Sequence, residues 1–444
     1  MERLTVLRLH MDFRKKLMRT PMAAIAVCLL LVGAVVSFVP AQQSDPTLVF
    51  RDVDVFDGTR MIRRTNVLVR DGMIRAVGAD IMVPPAAQVV DGKGKTLLPG
   101  LFDAHIHLGM RNGEAFLQDA LNFGVTTELE MWGSVESIAL RQKIANGELT
   151  GVADLRSAGI GVTVPKGHPT QMGGPTVPTL APSDDVQAFV DARIAEGADY
   201  IKIIYEHAFP TLTKQQLEDV VAAAHRRNKL AVVHTTTQMD ALDAITAGAD
   251  GLVHAFADSE PKPGFAELAL RHHVFVIPTL SVIEVVTGAP SGSWWQDSAQ
   301  VSPYVTDSMR GSLERKFPPG FGAKMKLSHA QAVVIALYRA GVPILAGTDA
   351  PAPGLAHGVS IHRELELLVT SGLSPLAALA SATSIPARVF GLHDRGRIKP
   401  GLRADLLLVN GDPSVDVKAT RNIAGIWKSG GRHTRSSTNS PSAK

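Results

Sequence analysis

One cysteine in 444 residues leaves sulfur almost no role. It is Cys28, inside an apolar run near the N-terminus, so the chain beyond that run has neither a disulfide nor a thiol nucleophile. The Leu29-Leu30-Leu31 that follows makes it a poor lipidation site. Aromatic residues make up only 5% of the chain, which argues against a large stacking site for an aromatic cofactor. No basic patch points to nucleic acid. Internal repeats and long low-complexity stretches are also missing. A chain of this length can bury a sizeable core, and its 39 Gly and 27 Pro suit many loops.

The N-terminus reads as targeting. Arg14, Lys15, Lys16 and Arg19 precede the apolar run from Met22 to Val39, and Val39-Pro40-Ala41 offers residues that a signal peptidase reads. Residues 1–41 are therefore expected to be a signal peptide, or an inner-membrane anchor if uncleaved, since the run sits near the ~18-residue threshold for a span. Met11 is an alternative start. Removing the net +4 of this segment takes the formal charge from +3 to −1. A periplasmic or secreted enzyme is the expectation, with a small-molecule substrate, no nucleic-acid partner and room for a homo-oligomer.

Six residues of metal-ligand type stand near the ends of short apolar runs: His105, His107, Lys202, His234, His254 and Asp349. His105-Ile106-His107 alternates at strand period, so both imidazoles share a face and can grip one ion. Lys202 lies in Tyr200-Ile201-Lys202-Ile203-Ile204, where a charged ammonium is costly to bury. A neutral amine there can add carbon dioxide, giving a carboxylate able to bridge two cations. Asp349 ends Ile344-Leu345-Ala346-Gly347-Thr348-Asp349, placed to bind metal and to take a proton from water.

Lys202, His234 and His254 are 32 and 20 residues apart, each a plausible step from one strand end through a helix to the next. Thr213 to Asn228 and Gln238 to Ala247 read as those helices, and Ser360 to Ser371 and a start at Ser374-Pro375 as later ones. The fold class is α/β, a (β/α)8 TIM-like barrel over residues 97–394. Its strands are expected near Leu101 to His107, Val125 to Met131, Gly159 to Val164, Ile201 to Ile204, Leu230 to His234, Gly251 to His254, Val274 to Thr279 and Ile344 to Thr348. Residues 47–96 and 395–433 read as short strands with too little apolar surface to stand alone. They are expected to pair into a small composite β-sandwich built from both chain ends, with residues 434–444 a disordered tail.

The chain resembles the amidohydrolase superfamily, in its imidazolonepropionase-related branch with secreted binuclear-metal dipeptidases of Xaa-Pro or Xaa-Arg type and ochratoxin-type amidases. The residues that carry the resemblance are Leu98 to His107, the Lys202 strand, His234, His254, Gly347-Thr348-Asp349, His362 to Leu367 and Gly396 to Leu406. The resemblance implies that His105, His107 and Asp349 hold one divalent ion, that His234 and His254 hold a second, and that a carboxylated Lys202 bridges them. Asp349 would be the catalytic proton shuttle. Zinc suits imidazole and carboxylate ligands, with manganese, cobalt and iron open. The expected reaction is cleavage of an amide or peptide C–N bond in a dipeptide or N-acyl amino acid. The rivals are an ester, lactone or phosphotriester hydrolase and an inactive barrel that only binds. Deaminating relatives carry an acid shortly after the fifth-strand histidine, whereas Thr235-Thr236-Thr237-Gln238 follows His234 here, which argues against a one-metal deaminase.

His168, in the loop Pro165 to Pro175, is a candidate for substrate binding, and Tyr205 and His357 are candidates to line the pocket. The long insertion from Gly288 to Leu327, with Trp294-Trp295, reads as a lid or an interface.

Overall fold

Neither end of the chain can cover a sheet face by itself, and the two ends meet. A computed structural model describes residues 47–109, 112–173, 176–288 and 294–437, all in the unit Asp45–Lys444. The expected signal peptide or anchor lies outside the described residues. Among them, no helix is long and apolar enough to cross a membrane.

From the N-terminal end come β1 (Leu48–Phe56), β2 (Met61–Arg70), β3 (Met73–Gly78), β4 (Gln88–Asp91) and β5 (Lys95–Pro99). Strands β6 (Leu101–Ile106), β7 (Val125–Glu130), β8 (Asp154–Ser157), β9 (Ile201–Ile204), β10 (Ala231–His234), β11 (Gly251–Val253) and β12 (Phe275–Ile277) follow. The C-terminal end gives β13 (Leu406–Asn410), β14 (Ile423–Lys428) and β15 (Gly431–His433).

The ends form one connected sheet in the order β15-β14-β13-β5-β1-β2-β3, with β4 added beside β1. Two facing layers are expected from the sequence; a sandwich is not shown. The unexpected strand β5 is the physical reason, because it joins both ends, antiparallel to β13 through Leu98 and Leu407 and parallel to β1 through Thr96 and Asp54. Phe50, Leu97, Leu406 and Trp427 pack on this sheet, Phe50 and Trp427 edge to face at 4.7 Å. The tail's first residues are held: Arg435 Nε donates to Asn122 O at 2.7 Å, and its guanidinium lies 3.4 Å from the Tyr304 ring centre. Residues 438–444 lie outside the described residues.

Two parallel sheets make the rest, β6-β7-β8 and β9-β10-β11-β12. Their strands β6, β7 and β9 to β12 are buried along their whole length, as parallel strands covered on both faces are. Single parallel bridges, Val162–Ile203, Val276–Ile344 and Ile106–Ala350, extend the pairing past the sheets. Helices fill the connections for local reasons. Lys214–Arg226 starts at a Thr213 capping box with Gln216 and buries Leu217, Val220, Val221 and Ala224; Gln238–Thr246 starts at Thr237.

Two expected strands differ. The third is Asp154–Ser157 rather than Gly159 to Val164, of which only Val162 bridges. Asp154 belongs to a strand despite its charge because three cations from the C-terminal end meet it: Lys428 Nζ at 2.8 Å, with Arg395 and Arg403 on its other oxygen. The eighth, Ile344 to Thr348, is no regular strand. Ala346 N donates out of the ladder to Ser381 O, and Gly347 passes so close to β6 that a Cβ would lie 2.8 Å from His105 N.

Burial opposes ionisation of Asp154, and Lys428, Arg403 and Arg395 outweigh it, holding the carboxyl well below its usual range. The stability this contributes is full above the ordinary carboxylate pKa and is lost as pH falls through the folded value. Asp154→Ala should therefore cost about 3–5 kcal/mol at neutral pH by stranding buried cations. Guanidinium unfolding should show an earlier midpoint, with the gap to wild type closing in strong acid; an unchanged midpoint at pH 7 contradicts the hub.

The described part of the insertion packs on the body of the protein. Trp295 is buried with Phe123, Val301, Val305, Met309 and Val359, and Arg421 lies 4.0 Å over the Trp294 ring.

Candidate active site

Parallel strands end on one side, and that is where the ligand-type residues gather. His105 lies in β6 with His107 just past it, Lys202 in β9, His234 at the last position of β10 and His254 just past β11. Asp349 is delivered by the irregular eighth segment, its backbone in the left-handed region (φ 71°) and its N–H on His105 O at 2.8 Å. Such a conformation costs on the order of 1–3 kcal/mol and persists only where surroundings hold it. Buried Asp103 does so: it accepts from His105 N (3.2 Å), Thr348 N (3.0 Å) and Thr348 Oγ1 (2.6 Å).

Two pairs of donor atoms face each other. His105 Nε2 and His107 Nε2 are 3.1 Å apart, with Asp349 Oδ1 at 3.4 and 2.9 Å from them. His254 Nε2 and His234 Nδ1 are 3.2 Å apart, and the His105 and His254 rings, with centres 5.0 Å apart, join the two pairs. One atom each from His105, His254 and Asp349 lie within 4.8 Å of one another. Lys202 is 1% exposed, and its Nζ has no hydrogen-bond partner among the described residues.

The protons are committed elsewhere. His107 Nδ1 lies 3.2 Å from Trp132 O, which only accepts, so Nδ1 carries the hydrogen. Thr279 donates its hydroxyl to Pro278 O at 2.8 Å, so its oxygen accepts from His254 Nδ1. In their neutral forms both rings then turn a bare Nε2 lone pair inward. For His107 that lone pair meets a carboxylate oxygen, a repulsive contact unless a cation lies between them. The donor set thus fits divalent metal ions.

Burial, followed by neighbouring positive groups, keeps His105, His234 and His254 well below the usual histidine range, which is the neutral state that ligation needs. Burial also pulls Lys202 down to about 7, with Asp349 opposing it weakly. Asp349 is pushed up by burial but held below the ordinary range by the neighbouring groups His107, His254 and Lys202.

His168 joins this group, stacked on His234 with ring centres 5.1 Å apart and with Nδ1 2.9 Å from Gln171 Nε2. Tyr205 does not. Its hydroxyl donates to Asp243 Oδ2 at 3.2 Å on the helix Gln238–Thr246, because alternation from Lys202 turns it to the opposite side of the strand. His357 does not line the site either: it is buried behind it, bonded to Glu128 at 3.0 Å and stacked on Phe116. The same alternation brings Glu206, which sequence reasoning missed, to within 3.3 Å of His234 Nε2. Counting by two from Lys202 would have found it. Gln238 is buried at a helix start, its backbone N–H on Asp258.

One cavity of about 980 Å³ lies among Glu284, Trp294, Phe317, Phe321 and Arg363 and is lined by none of the six ligand-type residues. A smaller one of about 320 Å³ opens between Gly109, Trp132, Ile160, Pro169 and Val177, next in chain to His168 and close after His107.

An α/β scaffold with buried, neutral imidazoles and a carboxylate converging at parallel strand ends defines a hydrolase of the metal-binding kind. The chain belongs to the amidohydrolase family, which residues 96–434 match. It is 22% identical over 429 residues to ochratoxinase of Aspergillus niger, covering 83% of this chain and 82% of that one. To imidazolonepropionase of Geobacillus kaustophilus it is 25% identical over 384 residues, covering 79% and 84%. A solved Xaa-Pro dipeptidase with bound methionine shares its fold, with a TM-score of 0.71 at 24% identity over 87% of this chain and 99% of that one.

Proposed function

We propose that this enzyme is a binuclear metal-dependent hydrolase cutting the C–N bond of a dipeptide or N-acyl amino acid. The observation that carries the reading is the pair of inward-facing donor sets, His105–His107–Asp349 and His234–His254, with their protons committed to Trp132 O and Thr279. His105, His107 and Asp349 would hold one divalent ion and His234 and His254 the other, zinc suiting both sets. Lys202, buried and unpartnered, supports a bridging role: its neutral Nζ adds to carbon dioxide, forming an N–C bond and releasing a proton, and the resulting carboxylate joins the two subsites. The scaffold is a barrel, supported by the three linking bridges and by Ala104, Leu129, Val232, Val253, Ile277 and Leu345 packing as one cluster.

Bound cations there would supply Lewis acidity, lowering the pKa of water and polarising a substrate carbonyl. The Asp349 carboxylate accepts the proton that water gives up and returns it to the departing nitrogen. His168, against His234, borders the space where the carbonyl substituents lie. Ochratoxinase and the Xaa-Pro dipeptidase, among the relatives, support an amide over an ester. With the leader removed, the enzyme would work in the periplasm or outside the cell.

The test is turnover by the chain from Gln42 onward, zinc-loaded, on dipeptides, N-acyl amino acids, lactones and phosphotriesters, before and after chelation. Amide cleavage that chelation abolishes and zinc restores is expected. Turnover of lactones or phosphotriesters alone would overturn the substrate class.

A further inference from the structure

His234 has two ring nitrogens and only one can serve the metal subsite. Nδ1 is 3.2 Å from His254 Nε2, whose lone pair is bare because Thr279 takes the proton on the other nitrogen. Nδ1 is thus the inward atom, and the remaining Nε2, buried and without a hydrogen-bond partner among the described residues, lies 3.3 Å from Glu206 Oε2. Glu206 is itself placed: its Oε1 accepts from Thr236 Oγ1 at 3.1 Å, its backbone N–H donates to Thr211 Oγ1 at 3.1 Å, and its side chain is only 10% exposed. His168 stacks on the His234 ring, limiting its tilt.

We infer that Glu206 is the positioning carboxylate of the second metal subsite, accepting the Nε2–H of His234 and so committing Nδ1 to the cation. With the ring turned onto it, Glu206 would do for His234 what Thr279 does for His254 and Trp132 O does for His107. An outer partner of this kind fixes the tautomer and orientation of a ligating imidazole and raises its basicity. Glu206 reaches the histidine from the strand before it, so the short stretch Thr235 to Gln238 need not supply an acid. The competing arrangement is direct ligation, since one atom each from His168, Glu206 and His234 lie within 4.8 Å of one another.

The inference rests on the two-metal reading, and zinc binding rather than activity tests it. Zinc per chain and the affinity for each ion are measured by chelator competition on the full enzyme. Glu206→Ala should weaken one of two zinc ions about tenfold to a hundredfold and leave the other unchanged. Glu206→Gln, whose amide oxygen still accepts the hydrogen bond, should bind both like the wild type. Two zinc ions held with wild-type affinity by Glu206→Ala overturn the inference, and so does a third zinc on the wild type that both variants lose. If Glu206→Ala does not fold, Thr236→Val, which frees the carboxylate without removing it, should weaken the same ion by a smaller factor, and unchanged affinity there overturns it equally. Fewer than two zinc ions on the wild type would refute the two-metal reading itself, and the inference with it.

Discussion

Lys202→Ala should hold no more than one cation per chain and lose about a thousandfold in turnover. Lys202 is the only one of the six whose side chain makes no ordinary sense where it stands: it is 1% exposed, without a hydrogen-bond partner, and has a pKa pulled down to about 7. An ammonium there would add charge to a pocket of imidazoles, whereas a carboxylate built on Nζ would offset two cations. Losing Lewis-acid stabilisation of about 4 kcal/mol corresponds, at 1.36 kcal/mol per decade, to about a thousandfold. Alanine leaves a gap the length of the lost stem, so a short carboxylic acid such as propionate should partly restore metal binding and rate. Full metal content and activity in Lys202→Ala would remove its bridging role.

Asp349→Asn should lower kcat by about 10²–10⁴, the range for a lost general base, with KM little changed. The amide keeps the shape and one oxygen of the carboxylate, so the backbone at φ 71° and the Asp103 contacts to Thr348 should survive. What it cannot do is accept a proton from water and return it to a leaving nitrogen. Steady-state kinetics at matched metal content is the check. Unchanged kcat would assign the proton transfer to another group, and a raised KM at constant kcat would make Asp349 a substrate-binding residue instead.

Much of the site could be read in the sequence because local patterns carried it. His105-Ile106-His107 alternates within a strand and its next residue, His234 closes an apolar run that is a strand, and the helix expected from Thr213 starts there, capped by its side chain. The rest depended on partners distant in the chain. Thr279 meets His254 across 25 residues, and Glu206 meets His234 across the gap between neighbouring strands. Asp154 sits in a strand because Arg395, Arg403 and Lys428 neutralise it from the far end of the sequence. Tyr205 was misplaced for a simpler reason: it is one step out of phase with Lys202, and a strand turns alternate residues away. His357 needed knowledge of buried Glu128 and Phe116 to be recognised as internal.

Two cations should bind here, and anomalous diffraction from crystals of the zinc-loaded enzyme, collected at the metal edge, would locate them. Two peaks are expected, one within ligand distance of His105 Nε2, His107 Nε2 and Asp349, the other of His234 Nδ1 and His254 Nε2, with density continuing from Lys202 Nζ between them. A single peak, or a peak among His168, Glu206 and His234 with bare density at Lys202, would contradict it.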